Sequence, residues 1–324
     1  MQTIPFLRKS DEAPFTDRGI KKAGQLLKPW SGEEVRGVAI AGAPLSKTSI
    51  SHSGAHLTPQ TIRAMMHSFS TYSIEEESDL WDQSITDFGD IEMHVTDLFT
   101  SQSRIHSVLK DIGAQHRDAC VITLGGDHSV SAGAIKAFQE TRGRVGIIQF
   151  DAHFDLRNTE DGGPSNGTPF RQLIENGVIT GDQLVQIGIR DFSNGKLYHD
   201  YAKDHGVTVH TMGDVKRSGL LSLLKKSVDQ LKQTTDNIYI SLDMDVLDQA
   251  FAPGCPAIGP GGLDSDSLIE GIQYLAQEPS VKGMDIVEID PTLDFRNMTS
   301  RLAAYIIIQF TLFYTKRKGG IKDE

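Results

Sequence analysis

The sequence predicts an α/β fold, a mainly parallel sheet with helices on both faces. Two observations predict it. Short apolar runs alternate along the chain with segments of helical periodicity, strand then helix, over and over. No low-complexity linker or shift of composition divides the 324 residues, so they read as one domain spanning 1–324. Residues 1 to about 34 are polar and irregular. Apolar runs at 38–41, 84–88, 120–124, 145–150, 184–189, 207–210, 238–242 and 284–289 read as strands. Helical patterns occupy 58–67, 97–116, 129–140, 169–176, 196–205, 215–231 and 265–277, and a last one follows Thr299. Thr58 ahead of Pro59, and Ser129 after a pair of glycines, look like helix caps. In such a sheet, ligands gather beyond the carboxyl ends of the strands, which makes those ends the place to seek chemistry.

Composition narrows the function classes. A formal net charge of -11 argues against a non-specific nucleic-acid binder, because phosphate contacts need clustered Lys and Arg. No apolar run reaches the roughly eighteen residues of a membrane span. The longest such stretch, 302–314, contains Gln309 and Thr311 and reads as a buried helix. Residues 1–9 lack the apolar segment and small-residue cleavage site of a secretory signal. Cys120 and Cys255, the only cysteines, lie far apart in unlike contexts, which fits a reducing cytoplasm.

Three polar clusters stand at expected strand ends: Gly125-Gly126-Asp127-His128-Ser129, Asp151-Ala152-His153-Phe154-Asp155 and Ser241-Leu242-Asp243-Met244-Asp245. Residues two apart in an extended segment point to one side. Asp151, His153 and Asp155 are therefore expected to converge, as are Asp243 and Asp245. One D-x-D pair alone is as readily a cap or a solvated turn. Three clusters on one sheet edge are harder to explain that way. Carboxylates so gathered cannot all stay ionised without cations. With His128 the set holds four carboxylates and two imidazoles, and two divalent cations balance its charge. Carboxylate with some imidazole and no thiolate suits manganese better than zinc, with magnesium less favoured. Two-metal hydrolytic sites hold their ions roughly 3.5–4 Å apart, which requires bridging carboxylates. Asp151 and Asp243, each first in its pair, are the natural bridges. Asp127 and Asp248 read as capping or supporting groups, and Cys255 as a packing residue.

These blocks resemble the signature blocks of the ureohydrolases, the family of arginases, agmatinases and formimidoylglutamases. The matching stretches are GGDHS at 125–129, DAHFD at 151–155 and SLDMDVLDQAFAPG at 241–254, followed by Gly262. The resemblance extends from Ala43-Pro44 and Lys47 to 284–291. It implies a three-layer α/β/α sandwich with an eight-stranded, mainly parallel sheet. It also implies two Mn2+ per subunit bridged by a hydroxide. His128, Asp151, Asp155 and Asp243 would hold one ion, and Asp151, His153, Asp243 and Asp245 the other. A small-molecule substrate and a homo-oligomer, trimer or hexamer, follow from the same resemblance.

Within the family, residues 157–170 and 255–262 resemble the formimidoylglutamases of bacterial histidine breakdown. Asn166 stands where arginases and agmatinases carry a His before the Gly of a Gly-x-Pro turn. An amide cannot shuttle protons at neutral pH, although it donates and accepts hydrogen bonds. Ser193 stands where arginases place an Asp for the substrate's free amine. The expected reaction is hydrolysis of N-formimidoyl-L-glutamate to L-glutamate and formamide. Its two carboxylates require cationic or donor groups near the metals. Arg157, if the extended direction persists past Asp155, and Arg190, at the end of the fifth strand, are the expected forks. Each is alternatively a bracing ion pair. Asn158, Asn166 and Thr168 complete the expected substrate contacts. By resemblance, Asp155 both ligates a metal and hands a proton to the departing nitrogen, while Glu288 grips the amidinium. The alternative within the family is an agmatinase or other guanidino-acid ureohydrolase that releases urea. A metal-binding relative without turnover is the alternative outside catalysis.

Overall fold

Nine strands form the central sheet of the computed structural model, which describes residues 17–317. In chain order the elements are β1 (Leu27–Pro29), β2 (Gly37–Ala43), α1 (Thr58–Met66), β3 (Tyr72–Ser73), β4 (Ser78–Asp79), β5 (Ile85–Asp90) and α2 (Leu98–Gln115). There follow β6 (Ala119–Gly125), α3 (Val130–Arg142), β7 (Val145–Phe150), α4 (Pro169–Glu175), β8 (Leu184–Ile189), α5 (Lys196–Asp204) and β9 (Thr208–Thr211). The last are α6 (Met212–Ser218), α7 (Leu220–Leu231), β10 (Asn237–Asp243), α8 (Ser265–Gln277), β11 (Val281–Val287) and α9 (Met298–Thr315). The sheet order is β1-β5-β2-β6-β11-β10-β7-β8-β9, and every pairing in it is parallel. β3 and β4 pair antiparallel in a separate ribbon.

Alternation along the strands builds one apolar core on each face of the sheet. Ile148 and Phe150 of β7 enter one core with residues of α1, α7, α8 and α9. Val145 and Ile147 enter the other, with residues of α2, α3 and α4. Burial on both faces is what an all-parallel sheet requires. The apolar stretch at 302–314 lies within α9, where Ile306, Ile307 and Phe310 are fully buried. Among the described residues, no helix is long and apolar enough to cross a membrane.

The strand order creates the site. After β6 the chain passes through α3 to β7 and leaves two places in the sheet, which β10 and β11 fill later. The carboxyl ends of β6, β11, β10 and β7 therefore stand side by side at the middle of one edge, where ligands of such sheets gather.

The structure departs from the sequence expectation in instructive places. The sheet has nine strands rather than eight because Leu27–Pro29, within the segment expected to be irregular, adds to the edge of β5. Residues 1–16 of that segment lie outside the described residues. The helix expected at 215–231 is two helices, α6 and α7, separated at Gly219 with φ 77° and ψ 139°. Neither expected hydroxyl cap forms. Leu57 caps α1, and Thr58 instead donates to the Ile289 carbonyl, 2.5 Å away. Ser129 precedes α3 but donates to Asp127 Oδ1 at 2.5 Å. Both hydroxyls tie their helices to loops at the central edge.

Gly219 gives a direct test of the break. An added Cβ meets nothing within 4 Å, so substitution tests backbone conformation alone. Gly219→Ala should cost roughly 1–3 kcal/mol in chemical denaturation, the range for a side chain forced into a glycine-only conformation. An unchanged midpoint would contradict the conformation at this break.

Candidate metal centre

The turn after β6 is the first wall. Gly126 admits no side chain, because a Cβ there would overlap the Leu45 carbonyl. That carbonyl accepts the Asp127 N–H at 2.7 Å, and the Gly126 carbonyl accepts the Glu288 N–H at 3.0 Å. The buried Asp127 carboxylate accepts the backbone N–H and the hydroxyl of both Thr48 and Ser129. It thereby clamps the loop around Thr48 to this turn and fixes the chain at His128. Asp127 supports the site from this turn and belongs to neither group of metal-binding side chains.

His128 forms the floor. Its Nδ1 lies 2.9 Å from Asp155 Oδ2, 3.1 Å from Asp151 Oδ2 and 3.2 Å from Asp243 Oδ2. Yet this fully buried nitrogen has no properly directed hydrogen bond. A ring nitrogen that faces three carboxylates without bonding to any of them suits a cation between them. On the other side, His153 Nδ1 lies 2.9 Å from Asp245 Oδ2 and 3.4 Å from Asp151 Oδ1. Two groups could each hold a divalent ion: His128, Asp151, Asp155 and Asp243, and then Asp151, His153 and Asp245. Asp151 belongs to both. Asp243 belongs to the first. Its Oδ2 faces His128 while its Oδ1 accepts the Asp245 N–H at 2.8 Å.

The convergence itself has another cause than the one expected. β7 stops at Phe150, and the segment Asp151–Asp155 is not extended. Asp151 Oδ1 accepts the His153 N–H at 2.6 Å, which curls the chain, and Asp155 sits at φ 51°. The same device recurs after β10, where Asp243 accepts the Asp245 N–H and a 3-10 turn begins at Met244. Glu288, just past β11, has φ 60°. Positive φ in non-glycine residues is strained and concentrates at functional sites.

Without cations the cluster is electrostatically frustrated. Burial opposes protonation of His128, yet Asp151, Asp155 and Asp243 together hold it well above its ordinary value. Asp245 above all lifts His153, against burial, up to about 12. Burial, and then Asp151, push Asp155 up to about 6. Burial, and then Asp245 and Asp151, hold Asp243 well above the carboxylate range. Burial, and then Asp127, raise Glu288 to about 8. Burial works against ionisation of Asp151 too, but the two imidazoles hold it below the usual range. Divalent ions resolve all of these conflicts at once.

A cavity of about 190 Å3, sized for a small molecule, opens above the cluster. Asp155, Arg157, Asn166 and Glu288 line it. Arg157 lies 5.6 Å from the centroid of the Tyr198 ring, and its side chain occupies the space left by the missing Cβ of Gly167. Asn166 donates to Glu288 Oε1 at 3.1 Å and accepts the Ile50 N–H at 3.1 Å. Three expected substrate contacts lie elsewhere. Arg190 is buried and donates to the Asp245 carbonyl at 2.5 Å and the Leu247 carbonyl at 3.1 Å, so it braces the loop after β10. Asn158 closes its own turn by accepting the Glu160 and Asp161 N–H groups. Thr168 is buried against Ser165 and Gln172. Sequence reasoning missed Ile50, Asn194 and Tyr198, all in the cavity wall. Asn194 accepts the Phe154 N–H and donates to the Ala152 carbonyl, pinning the Asp151–Asp155 segment. In sequence it is an ordinary turn residue between Ser193 and Gly195, with nothing to mark it.

Comparison with known proteins gives a consistent result. A family model described as the arginase family matches residues 36–313. The formimidoylglutamase of Halalkalibacterium halodurans is 56% identical over 310 residues, covering 96% of this chain and 97% of its own. The crystal structure of formimidoylglutamase from Bacillus subtilis superposes with a TM-score of 0.94 at 47% identity, covering 97% of this chain and 98% of that one. The formiminoglutamase of Trypanosoma cruzi, solved with Mn2+, superposes with a TM-score of 0.80 at 25% identity, covering 87% and 94%.

The electrostatics predict how metal stabilisation varies with pH. Each raised value above means a proton bound more tightly in the folded than in the unfolded chain. Stability of the metal-free protein should therefore fall as pH rises across about 5 to 8. Asp151 acts in the opposite sense, but only below the usual carboxylate range. Cations displace the bound protons, so their stabilisation grows over the same window. The difference in Tm between Mn2+-loaded and chelated protein should be larger at pH 8 than at pH 6. An equal or smaller difference at pH 8 would contradict the metal assignment.

Proposed function

The chain belongs to the arginase family, and from that premise we propose that it hydrolyses N-formimidoyl-L-glutamate to L-glutamate and formamide in histidine degradation. The whole chain acts as one catalytic domain. The observation that carries the substrate choice is the charge layout of the cavity. Its floor is carboxylate, and Arg157 is the one Lys or Arg among its described lining residues. A substrate with an amidinium at one end and carboxylates at the other complements that layout. Agmatine has no carboxylate for Arg157, which disfavours the urea-releasing alternative. The high identity to formimidoylglutamases supports the same choice.

The proposed cofactor is two Mn2+ per subunit. Support comes from the donor set, which is carboxylate and imidazole without thiolate, and from the Mn2+ in the T. cruzi relative. Bound ions supply Lewis acidity and lower the pKa of water so that a nucleophile exists at neutral pH. The chain's own residues do the rest. Glu288 accepts the His128 N–H and the Asn166 amide on Oε1, leaving Oε2 for an N–H of the amidinium. Asn166 holds that carboxylate in place without carrying protons. Asp155, at the cavity wall and against His128, passes a proton to the departing glutamate nitrogen. Arg157 takes a carboxylate, steadied by Tyr198. Asn158, Thr168 and Arg190 shape the surrounding loops. The proposal includes a cytoplasmic homo-oligomer, trimer or hexamer. The two free cysteines suit a reducing compartment.

The test is a product assay on Mn2+-reconstituted protein offered formimidoylglutamate, arginine and agmatine in parallel. Formamide and glutamate from the first substrate alone is the expected outcome. Urea from either guanidino compound would overturn the substrate assignment, and ammonia with formylglutamate would mean that the other nitrogen leaves. Arg157→Ala should raise KM for formimidoylglutamate about 10–100-fold, the effect of losing a hydrogen bond to a charged group. An unchanged KM would leave Arg157 as a partner of Tyr198 only.

A further inference from the structure

Deeper in the sheet than the metal-facing side chains runs a row of buried polar residues. Thr123, Asp285, Ser241, Gln149 and Gln186 are register partners, in that order, across β6, β11, β10, β7 and β8. None is more than 2% exposed. On the same face, Ile147, Leu184, Tyr239 and Val287 belong to the apolar core against α2, α3 and α4. A polar line through such a core is unfavourable unless its hydrogen bonds are put to use.

We propose that four members of this row, Asp285, Ser241, Gln149 and Gln186, position His128 and Asp151 for the metals, presenting the Nδ1 lone pair of the one and the Oδ2 of the other. The proposal rests on reading these two residues as metal ligands. For His128, the nitrogen that faces the carboxylates is Nδ1, so a ligating ring carries its proton on Nε2. Nε2 lies 3.0 Å from Ser241 Oγ. A hydroxyl that accepts this proton has one of its own to give, and Ser241 donates it to Asp285 Oδ1 at 2.8 Å. Ser131 Oγ, at 3.4 Å, is the poorer acceptor. An ionised Asp285 can only accept, so the chain of donors runs one way, from the imidazole into the sheet. Reversed, it would put the ring proton on Nδ1, where the cation belongs.

Asp151 is held by the mirror of this logic. Its carboxylate can only accept, so Gln149 turns its amide toward Oδ2, 2.6 Å away. The Gln149 carbonyl must then face Gln186, whose amide donates to it at 2.6 Å. That same amide donates to the Phe154 carbonyl, also at 2.6 Å, within the segment that carries His153 and Asp155. The two branches share the Ser241–Gln149 register and serve the two ligands separately. Thr123 ends the row beside Asp285 and Tyr239 and touches neither His128 nor Asp151, which makes it the control.

The test is titration of chelator-stripped protein with Mn2+, free ion being read by electron paramagnetic resonance. Ser241→Ala and Asp285→Asn should each weaken binding about 10–100-fold, the usual effect of removing a group that orients a metal-binding histidine. Asp285→Asn keeps the shape but offers an amide that can drive the relay backwards. Gln149→Met should weaken binding through Asp151, and it decides the matter if the other two variants fail to fold. Thr123→Val should stay within about twofold of the parent, because its hydroxyl contacts neither ligand and neither Ser241 nor Gln149. Folded relay variants with parental affinity would overturn the proposal while leaving the ligand reading intact. Equal weakening in Thr123→Val would overturn it by making the loss a general packing effect. A parent chain that binds no Mn2+ would overturn the ligand reading and the proposal together.

Discussion

Mutual repulsion among buried carboxylates is the constraint around which this molecule is organised. Asp151, Asp155 and Asp243 stand around one imidazole, and Asp245 stands beside a second. In a low-dielectric interior such a set stays charged only with cations among its members. Holding it together without them requires a rigid frame, and the parallel sheet provides one. Four adjacent strands end on the same edge, each delivering part of the set, and cores on both faces prevent the strands from spreading. The positive φ angles of Asp155 and Glu288 are local costs that only such a frame can sustain.

From that centre outward, hydrogen-bond donors do the fine positioning. Asn166 and the His128 backbone fix one oxygen of Glu288, Asn194 pins the loop after β7, and Arg190 ties down the loop after β10. A histidine in place of Asn166 would introduce a second titrating group beside a carboxyl already held up to about 8 by burial and by Asp127. The amide bonds to Glu288 and to Ile50 without that complication. This economy of charge leaves Arg157 as the permanent cation in the cavity lining, so the polarity of the substrate can be read from the wall.

Much of the fold was legible in the sequence, because an all-parallel sheet covered on both faces writes each strand as an apolar run between helices. All eight expected strands lie in the sheet, and the ninth is a three-residue edge strand ending in Pro29, too short to carry a pattern. The polar clusters were legible because charged residues at strand ends stand out against those runs. The geometry by which they meet was not. Two-residue alternation was expected, whereas the curl comes from aspartate side chains accepting backbone N–H groups two residues on. Periodicity cannot register such a bond. Arg190, read either as a substrate fork or as a brace, was left open for a related reason: its partners lie 55 and 57 residues away in sequence, on a neighbouring strand's loop. The helix expected at 215–231 runs through Gly219, and only the backbone conformation there shows the break. Single polar letters inside strands, such as Gln149 and Ser241, carry too little signal to be paired by eye.

The account stands on two cations sharing Asp151. Crystals of Mn2+-loaded protein, with diffraction collected on both sides of the manganese absorption edge, test this most directly. The account predicts two anomalous peaks in each subunit, one beside His128 Nδ1 and one beside His153 Nδ1, roughly 3.5–4 Å apart with Asp151 between them. A single peak, or two that do not share Asp151, would contradict it.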